Sequence, residues 1–289
     1  MSSRKKSKRF QLLPPEIATE IKLHREQGAD HVVAVEGKRD AACFGRFVDR
    51  STTKVYPYGG KPEIIAAMSI LKDAGIENVT SITDSDYDRL AGRNADSIQT
   101  DYVDREAYIW DKRSEFESQI ESRFKESALQ DSPSITDLVD MAILCAKCLG
   151  AIRYAHDQTP IATDDRLLCF EKFCFTKVDD LANDDEILSR ITNCVFSCSN
   201  FEGALDSNTE RIGQAFENHS EQDLCKGVDI VDATIALVDH FKLAGERFWK
   251  RRDDVQDSVN GLFTKEFLQT TQLYADFCSS HEECVFQVS

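Results

Sequence analysis

No stretch of the chain approaches the ~18 consecutive apolar residues of a transmembrane helix, so no membrane span is expected. No apolar segment follows the basic cluster Arg4, Lys5, Lys6, Lys8 and Arg9, so the expectation is no secretory signal and a cytoplasmic location. Walker A, Gly-x-Ser-x-Gly and Rossmann fingerprints are all missing. Without a P-loop the chain cannot power itself with ATP by that route, and a separate ATPase would have to do so. Positive charge is also scarce: 35 Lys and Arg stand against 51 Asp and Glu, a net charge of −16. That balance excludes a general polyanion-coating protein, because non-specific nucleic-acid binding rests on Lys and Arg neutralising phosphates. Action on nucleic acid stays open wherever divalent metal bridges the repulsion.

A second metal-ligand pair is absent too. Cys145-x-x-Cys148 looks like half a zinc site, but no further Cys-x-x-Cys or His-x-x-x-His follows, and the pair lies in the apolar helical stretch 138–149. The ten cysteines are scattered, most in apolar surroundings, and are expected to be reduced thiols packed as small hydrophobes.

What is present suffices for a core: 41% of the 289 residues are hydrophobic and 30% charged, which suits one large or two modest domains. Residues 129–289 hold 14 Lys and Arg against 29 Asp and Glu, and the composition shifts near the turn-forming cluster Asp131-Ser132-Pro133. The expected organisation is a basic tail and leading helix over 1–30, a metal-binding domain over 31–130 and an acidic, mainly helical domain over 131–289. That acidic region reads as a protein-docking surface.

The first half alternates in period. His31–Val35 is a short valine-rich run suited to a buried strand, and Asp40–Asp49 follows with helical spacing. Lys54–Tyr58 predicts a second strand, Pro62–Ala74 a helix ended by Gly75, and Asn78–Thr83 a third strand. Asp101–Trp110 is expected as a fourth strand and Lys112–Ala128 as a helix. Strands and helices alternating on short connections imply an α/β fold with a parallel sheet flanked by helices. Beyond it, helices are expected over 135–153, 184–194, 207–219, 230–243 and 265–278, with a strand-like run over 167–175.

In such a sheet, function collects beyond the carboxyl ends of the strands. The first strand runs into Glu36-Gly37 and the third into Asp84-Ser85-Asp86-Tyr87-Asp88. If strand geometry persists, the period of two puts Asp84 and Asp86 on one side, and Glu36 joins them if strands one and three are neighbours. Converging carboxylates need a cation, and oxygen ligands favour Mg2+ or Mn2+ over zinc. Taken singly, each acid is as well explained as a helix cap or turn residue.

This arrangement resembles the Toprim domain. More narrowly, Val35-Glu36-Gly37-Lys38-x-Asp40, Gly59-Gly60-Lys61, Asp84-x-Asp86-Tyr87-Asp88 and Thr100-Asp101-Tyr102-x-Asp104-x-Glu106 resemble a Toprim-like nuclease family related to OLD-type nucleases. Its members include the nuclease subunit of PARIS-type anti-phage systems, encoded beside an ABC-type ATPase. Leu149-Gly150-x-x-Arg153 and Cys225-Lys226-Gly227-Val228-Asp229 look like further landmarks, although the family pattern has Gly-His-Asp where this chain has Gly227-Val228-Asp229. That departure argues against a catalytic role there, and Val228 and Asp229 are expected to begin a helix.

The resemblance implies a metal-dependent phosphodiesterase. Asp84 and Asp86 would hold Mg2+ (or Mn2+), with Glu36 as ligand or general base. A second metal would need further acids: Asp104 and Glu106, on one face of the expected fourth strand, or the weaker Asp88. For Asp104 and Glu106 the plain alternative is an exposed strand face. Lys61, starting a helix after two glycines, and Lys38 are candidate phosphate contacts. Lys38 and Arg39 read equally as solvated first-turn residues. Lys250 and Arg251, in Phe248-Trp249-Lys250-Arg251-Arg252, either stack on and bind nucleic acid or close an amphipathic helix.

The leading reading is thus an Mg2+-dependent endonuclease, a toxic effector of anti-phage defence restrained by an ABC-type ATPase partner. It would act on DNA or on structured RNA such as tRNA, and as a homodimer when active. A second reading is a non-catalytic Toprim-like regulatory or assembly subunit. A primase or topoisomerase is a third, weakened by a helical remainder too short and too acidic for strand passage.

Overall fold

The computed structural model describes residues 12–93, 96–124, 133–158, 192, 205–241, 243 and 252–279. The chain forms two compact units. One gathers the described residues of Met1–Asp84, Ala95–Thr100 and Lys265–Ser289, and the other those of Ser85–Asn94 and Asp101–Thr264.

The first unit is an α/β sheet. Helix α1 (Pro14–Glu26) leads into strand β1 (His31–Val35), followed by α2 (Lys38–Phe44), β2 (Thr53–Pro57), α3 (Lys61–Asp73), β3 (Val79–Thr83) and the two-residue β4 (Ile98–Gln99). The strands lie in the order β2-β1-β3-β4 and all pair in parallel. β1 is central and buried along its whole length, as its unbroken apolar run requires. Its alternate residues Val32 and Ala34 pack with Ile17 and Ile21 of α1 and Ile64, Ala67 and Leu71 of α3. On β3, Thr80 is hydrogen-bonded through Oγ1 to His31 Nε2 (2.9 Å), and the His31 ring lies 6.3 Å from that of Phe277 in the C-terminal helix Gln272–Ser279.

Local chemistry sets the helix ends. Two prolines open α1, where missing amide protons cost nothing. α2 begins at Lys38 because the Gly37 N–H donates to Asp40 Oδ2 (2.8 Å), two residues earlier than the periodicity suggests. α3 ends as expected, with Gly75 in the left-handed region at φ +66°.

The second unit is helical. Its main elements are α4 (Arg113–Glu121), α5 (Ile135–Gln158) and the helices Leu205–Asn218, Gly227–His240 and Arg252–Leu262. α5 buries Leu138, Leu149 and Ile152 among Ile212, Phe216, Ile230, Val231 and Leu237. The expected fourth strand over Asp101–Trp110 is corrected: Arg105–Trp110 is a 3-10 helix. The Asp104 side chain accepts the Ala107 N–H (2.8 Å) and caps a helical turn, which outweighs the strand-like alternation of that segment. The expected helix over 230–243 begins at Gly227, with Val228 and Asp229 in its first turn, and the one over 265–278 is divided into Lys265–Leu268 and Gln272–Ser279. The strand-like run over 167–175 lies outside the described residues, as does the expected 184–194 helix apart from Thr192.

Cys43, Cys145, Cys148 and Cys225 are buried thiols outside any disulfide, as core packing requires, and burial pushes the Cys145 thiol up to about 12. Cys278 departs from the expectation of reduced thiols, being disulfide-bonded. Among the described residues no helix is long and apolar enough to cross a membrane.

Candidate active site

The carboxyl ends of β1, β2 and β3 lie level, since Val35 pairs with Pro57 on one side and Ile82 on the other. The residues just beyond are therefore neighbours. The Asp84 N–H donates to Glu36 Oε1 at 2.9 Å, tying the tip of β3 to that of β1. Lys61 Nζ donates to the Asp84 carbonyl at 2.7 Å. Gly59, at φ +117°, makes the turn that carries the chain from β2 into α3, and its N–H donates to the Glu36 carbonyl at 3.2 Å. Glu36, Lys61 and Asp84 are half-buried, while Lys38 is exposed at the start of α2.

In the second unit the chain continues through Asp86. Strand geometry does not persist to this residue: β3 ends at Thr83, and Asp86 stands in the left-handed region at φ +49°. The expectation that a period of two aligns Asp86 with Asp84 is thereby corrected. The Asp86 N–H donates to the Val103 carbonyl (2.8 Å), and Lys226 Nζ lies 2.8 Å from Asp86 Oδ1. Burial works against the Lys226 ammonium, but Asp86 outweighs it and holds its pKa above the ordinary lysine range. Asp88 pairs with Arg93 (2.7 Å), which also reaches Asp157 (2.7 Å).

Asp104 and Glu106 are buried rather than arrayed on an open strand face. Asp104 Oδ1 accepts both the Ala107 N–H and the Gly227 N–H (2.9 Å), while its Oδ2 is buried with no hydrogen-bond partner among the described residues. Burial, then the charge of Glu106, pushes the Asp104 carboxyl up to about 7. Glu106 is ion-paired with Arg105 at 2.7 Å. Arg153 forks onto Asp229, its Nη1 on Oδ2 and its Nη2 3.1 Å from Oδ1.

Sequence reasoning assigned no role to Lys226, Arg153 or Asp229, although all three lie in the segments singled out as landmarks. The glycines of those segments explain the spacing. A Cβ on Gly227 would fall 2.0 Å from the Glu106 carbonyl carbon, and one on Gly150 would fall 2.2 Å from the Leu224 oxygen. Lys250 and Arg251 lie outside the described residues.

Among the described residues, no group of three or more His, Cys, Asp or Glu side chains is arranged to hold a metal ion. The donor chemistry of Glu36 and Asp84 fits a hard divalent cation; Lys61 stands on the Asp84 main-chain carbonyl, and Lys226 on the Asp86 carboxylate. Asp104 and Glu106 fit poorly, one held by two backbone amides and the other paired with arginine. No protein-family model matches the chain, and no curated protein matches it.

Proposed function

We propose that this protein is a Toprim-like, Mg2+-dependent (or Mn2+-dependent) endonuclease. The observation that carries the reading is the Glu36–Asp84 hydrogen bond at the tips of adjacent parallel strands, with Lys61 on the same residue. Two acids and a cation at the carboxyl edge of a parallel sheet supply what phosphodiester hydrolysis demands of a protein. Glu36 and Asp84 would hold the cation. Asp86, Asp88, Asp104 and Glu106 drop behind them as ligands, because each already has a structural partner. Bound there, Mg2+ would offset charge at a scissile phosphate and activate water. Glu36 would serve as a metal ligand or as the general base for the attacking water, and Lys61 would contact a phosphate oxygen.

DNA and structured RNA such as tRNA are the substrate classes this chemistry serves. The wider proposal is a cytoplasmic effector of anti-phage defence, restrained by an ABC-type ATPase and dimeric when it cuts. The excess of acid over base in 129–289 supports a protein-docking surface there. The alternative, a non-catalytic Toprim-like regulatory subunit, is favoured by one contact: the Lys226 ammonium, 2.8 Å from Asp86 Oδ1, offsets the charge of that acid.

A cleavage assay on tRNA and plasmid DNA, with Mg2+, Mn2+ or chelator, separates the two. The expected result is metal-dependent cutting that Glu36→Ala lowers by at least ~100-fold, the scale of a lost general base. Wild-type protein that is free of any partner and cuts neither substrate would sink the nuclease reading.

A further inference from the structure

Arg4, Lys5, Lys6, Lys8 and Arg9 crowd the start of the chain, and no acid precedes Glu16. The net charge is −16, so without those five cations the chain stands at −21. The helix that follows fixes where their charge is delivered. Only residues 27–30 separate α1 from β1, and Gly28, at φ +93°, lies in the turn between them. α1 therefore runs back along the sheet, opposite in direction to the strands, and its side chains follow that course. The His24 ring stacks on that of Tyr56 at 3.9 Å, and Tyr56 pairs with Ala34 inside β1. One turn nearer the N-terminus, the charge of Glu20 acts on Tyr58, just past the end of β2: burial, then Glu20, holds that phenol above its ordinary range. Pro14 stands roughly 9 Å further along the same axis, at 1.5 Å per residue. Leu12 packs against the cluster that holds Ile17 and Tyr58, whereas Leu13 is 63% exposed. Leu12, to which residues 1–11 are joined, is thus at the carboxyl edge of the sheet. Glu36, Asp84, Lys61 and the exposed Lys38 stand at that edge, in the same compact unit.

We propose that Arg4, Lys5, Lys6, Lys8 and Arg9 form a phosphate-binding arm that draws nucleic acid onto the carboxyl edge of the sheet. The inference deepens the nuclease reading and rests on it for the identity of the ligand. A chain this acidic repels a polyanion as a whole, but salt screens exposed charges beyond a Debye length of about 10 Å, so the local cluster decides the contact. A chain spans at most ~3.6 Å per residue, which keeps residues 1–11 within ~40 Å of Leu12. That is enough to follow several phosphates while holding them beside Glu36 and Asp84. Each phosphate neutralised releases a counterion, and no base is read, so DNA and RNA are both served.

Fluorescence anisotropy of the full chain with labelled tRNA and with a short DNA duplex, in EDTA and over about 50–200 mM KCl, tests this. Wild-type affinity is expected to fall with salt at a log–log slope of about −3.5 or steeper, as five phosphate contacts require. Changing Arg4, Lys5, Lys6, Lys8 and Arg9 together to Gln should make the slope shallower by about 3.5–4.5 and lower affinity at the lowest salt at least ~100-fold. Unchanged or tighter binding by that variant overturns the proposal. The wild-type slope needs no variant to fold: one shallower than about −2 leaves too few phosphates neutralised and also overturns it. Wild-type protein that binds phosphatidylserine–phosphatidylcholine vesicles through these residues, but neither nucleic acid, overturns it in favour of a membrane surface. Chelator keeps binding separate from metal-dependent cutting. Arm-dependent binding by a protein that cuts neither substrate with Mg2+ removes the nuclease reading and leaves the arm. Metal-dependent cutting, with binding that the Gln variant does not alter, removes the arm alone.

Discussion

A carboxyl group buried beside another acid is comfortable only while it keeps its proton. Asp104 is in that position, raised to about 7 by burial and by Glu106, with one oxygen receiving two backbone amides and the other unpartnered among the described residues. In the unfolded chain the same group titrates near its ordinary value of 3.8. Between those values the folded protein holds a proton that the unfolded chain has lost. The contribution of Asp104 to stability is therefore full below about pH 4, falls as pH rises and is gone above about pH 7. Asp104→Asn keeps the accepting oxygen and removes the charge. Its stability is expected to stay flat where the wild type declines, so at pH 8 it should exceed the wild type by on the order of 1–3 kcal/mol. Urea unfolding at pH 5 and pH 8 measures this. An Asp104→Asn protein less stable than wild type at pH 8 would show that the ionised acid, held by the Ala107 and Gly227 amides, is the stabilising form.

At the scale of elements, one glycine sets how closely a helix approaches its neighbour and another does not. Gly150 of α5 faces the Leu224 carbonyl so closely that an added Cβ would lie 2.2 Å from its oxygen, whereas Gly213, in the helix Leu205–Asn218, has nothing within 4 Å of that position. Gly150→Ala should cost ~1–3 kcal/mol or more through overpacking. Gly213→Ala should instead raise stability by ~0.5–1 kcal/mol, since alanine loses less backbone entropy in a helix. Denaturant midpoints of the two variants check the pair, and equal effects would contradict the close approach. The same scale shows what was legible beforehand. Strands buried on both faces announce themselves as runs such as His31–Val35, and Gly75 marks its helix end, so β1, β2, α3 and β3 came out within a residue or two. With the strand order known, Glu36 and Asp84 had to be neighbours. The fourth strand was misplaced because β4 has only two residues, Ile98 and Gln99, too few for a period, while Asp104-x-Glu106 imitates alternation. Lys226 with Asp86 and Arg153 with Asp229 are pairings between distant segments, and side-chain contacts of that kind leave no local pattern to read.

At the scale of the whole molecule the chain is interleaved. The division expected near residue 131 suggests a sheet domain that ends before the helical region begins, but the compact units exchange chain at 84/85, 94/95, 100/101 and 264/265. The sheet unit takes back the C-terminal segment, where Leu273 and Phe277 are fully buried and the helix Gln272–Ser279 packs against β4. A fragment ending at residue 130 therefore lacks one cover of its own sheet. It also carries Ser85–Asn94, the 3-10 helix and α4 without the α5 core they belong to, leaving Phe116 and Ile120 with nothing to bury them. Such a fragment exposes apolar surface at both places, and each buried phenylalanine left bare forfeits roughly 2–3 kcal/mol. Fragment 1–130 is expected to be unfolded or aggregated, with no cooperative thermal transition by circular dichroism. Removal of only residues 265–289 should spare the helical unit and destabilise the sheet, and Phe277→Ala should reproduce that effect in milder form, costing ~3–5 kcal/mol. A 1–130 fragment that melts cooperatively as a monomer would show that the sheet needs neither its C-terminal helix nor the helical unit, and the interleaved division would then have no energetic weight.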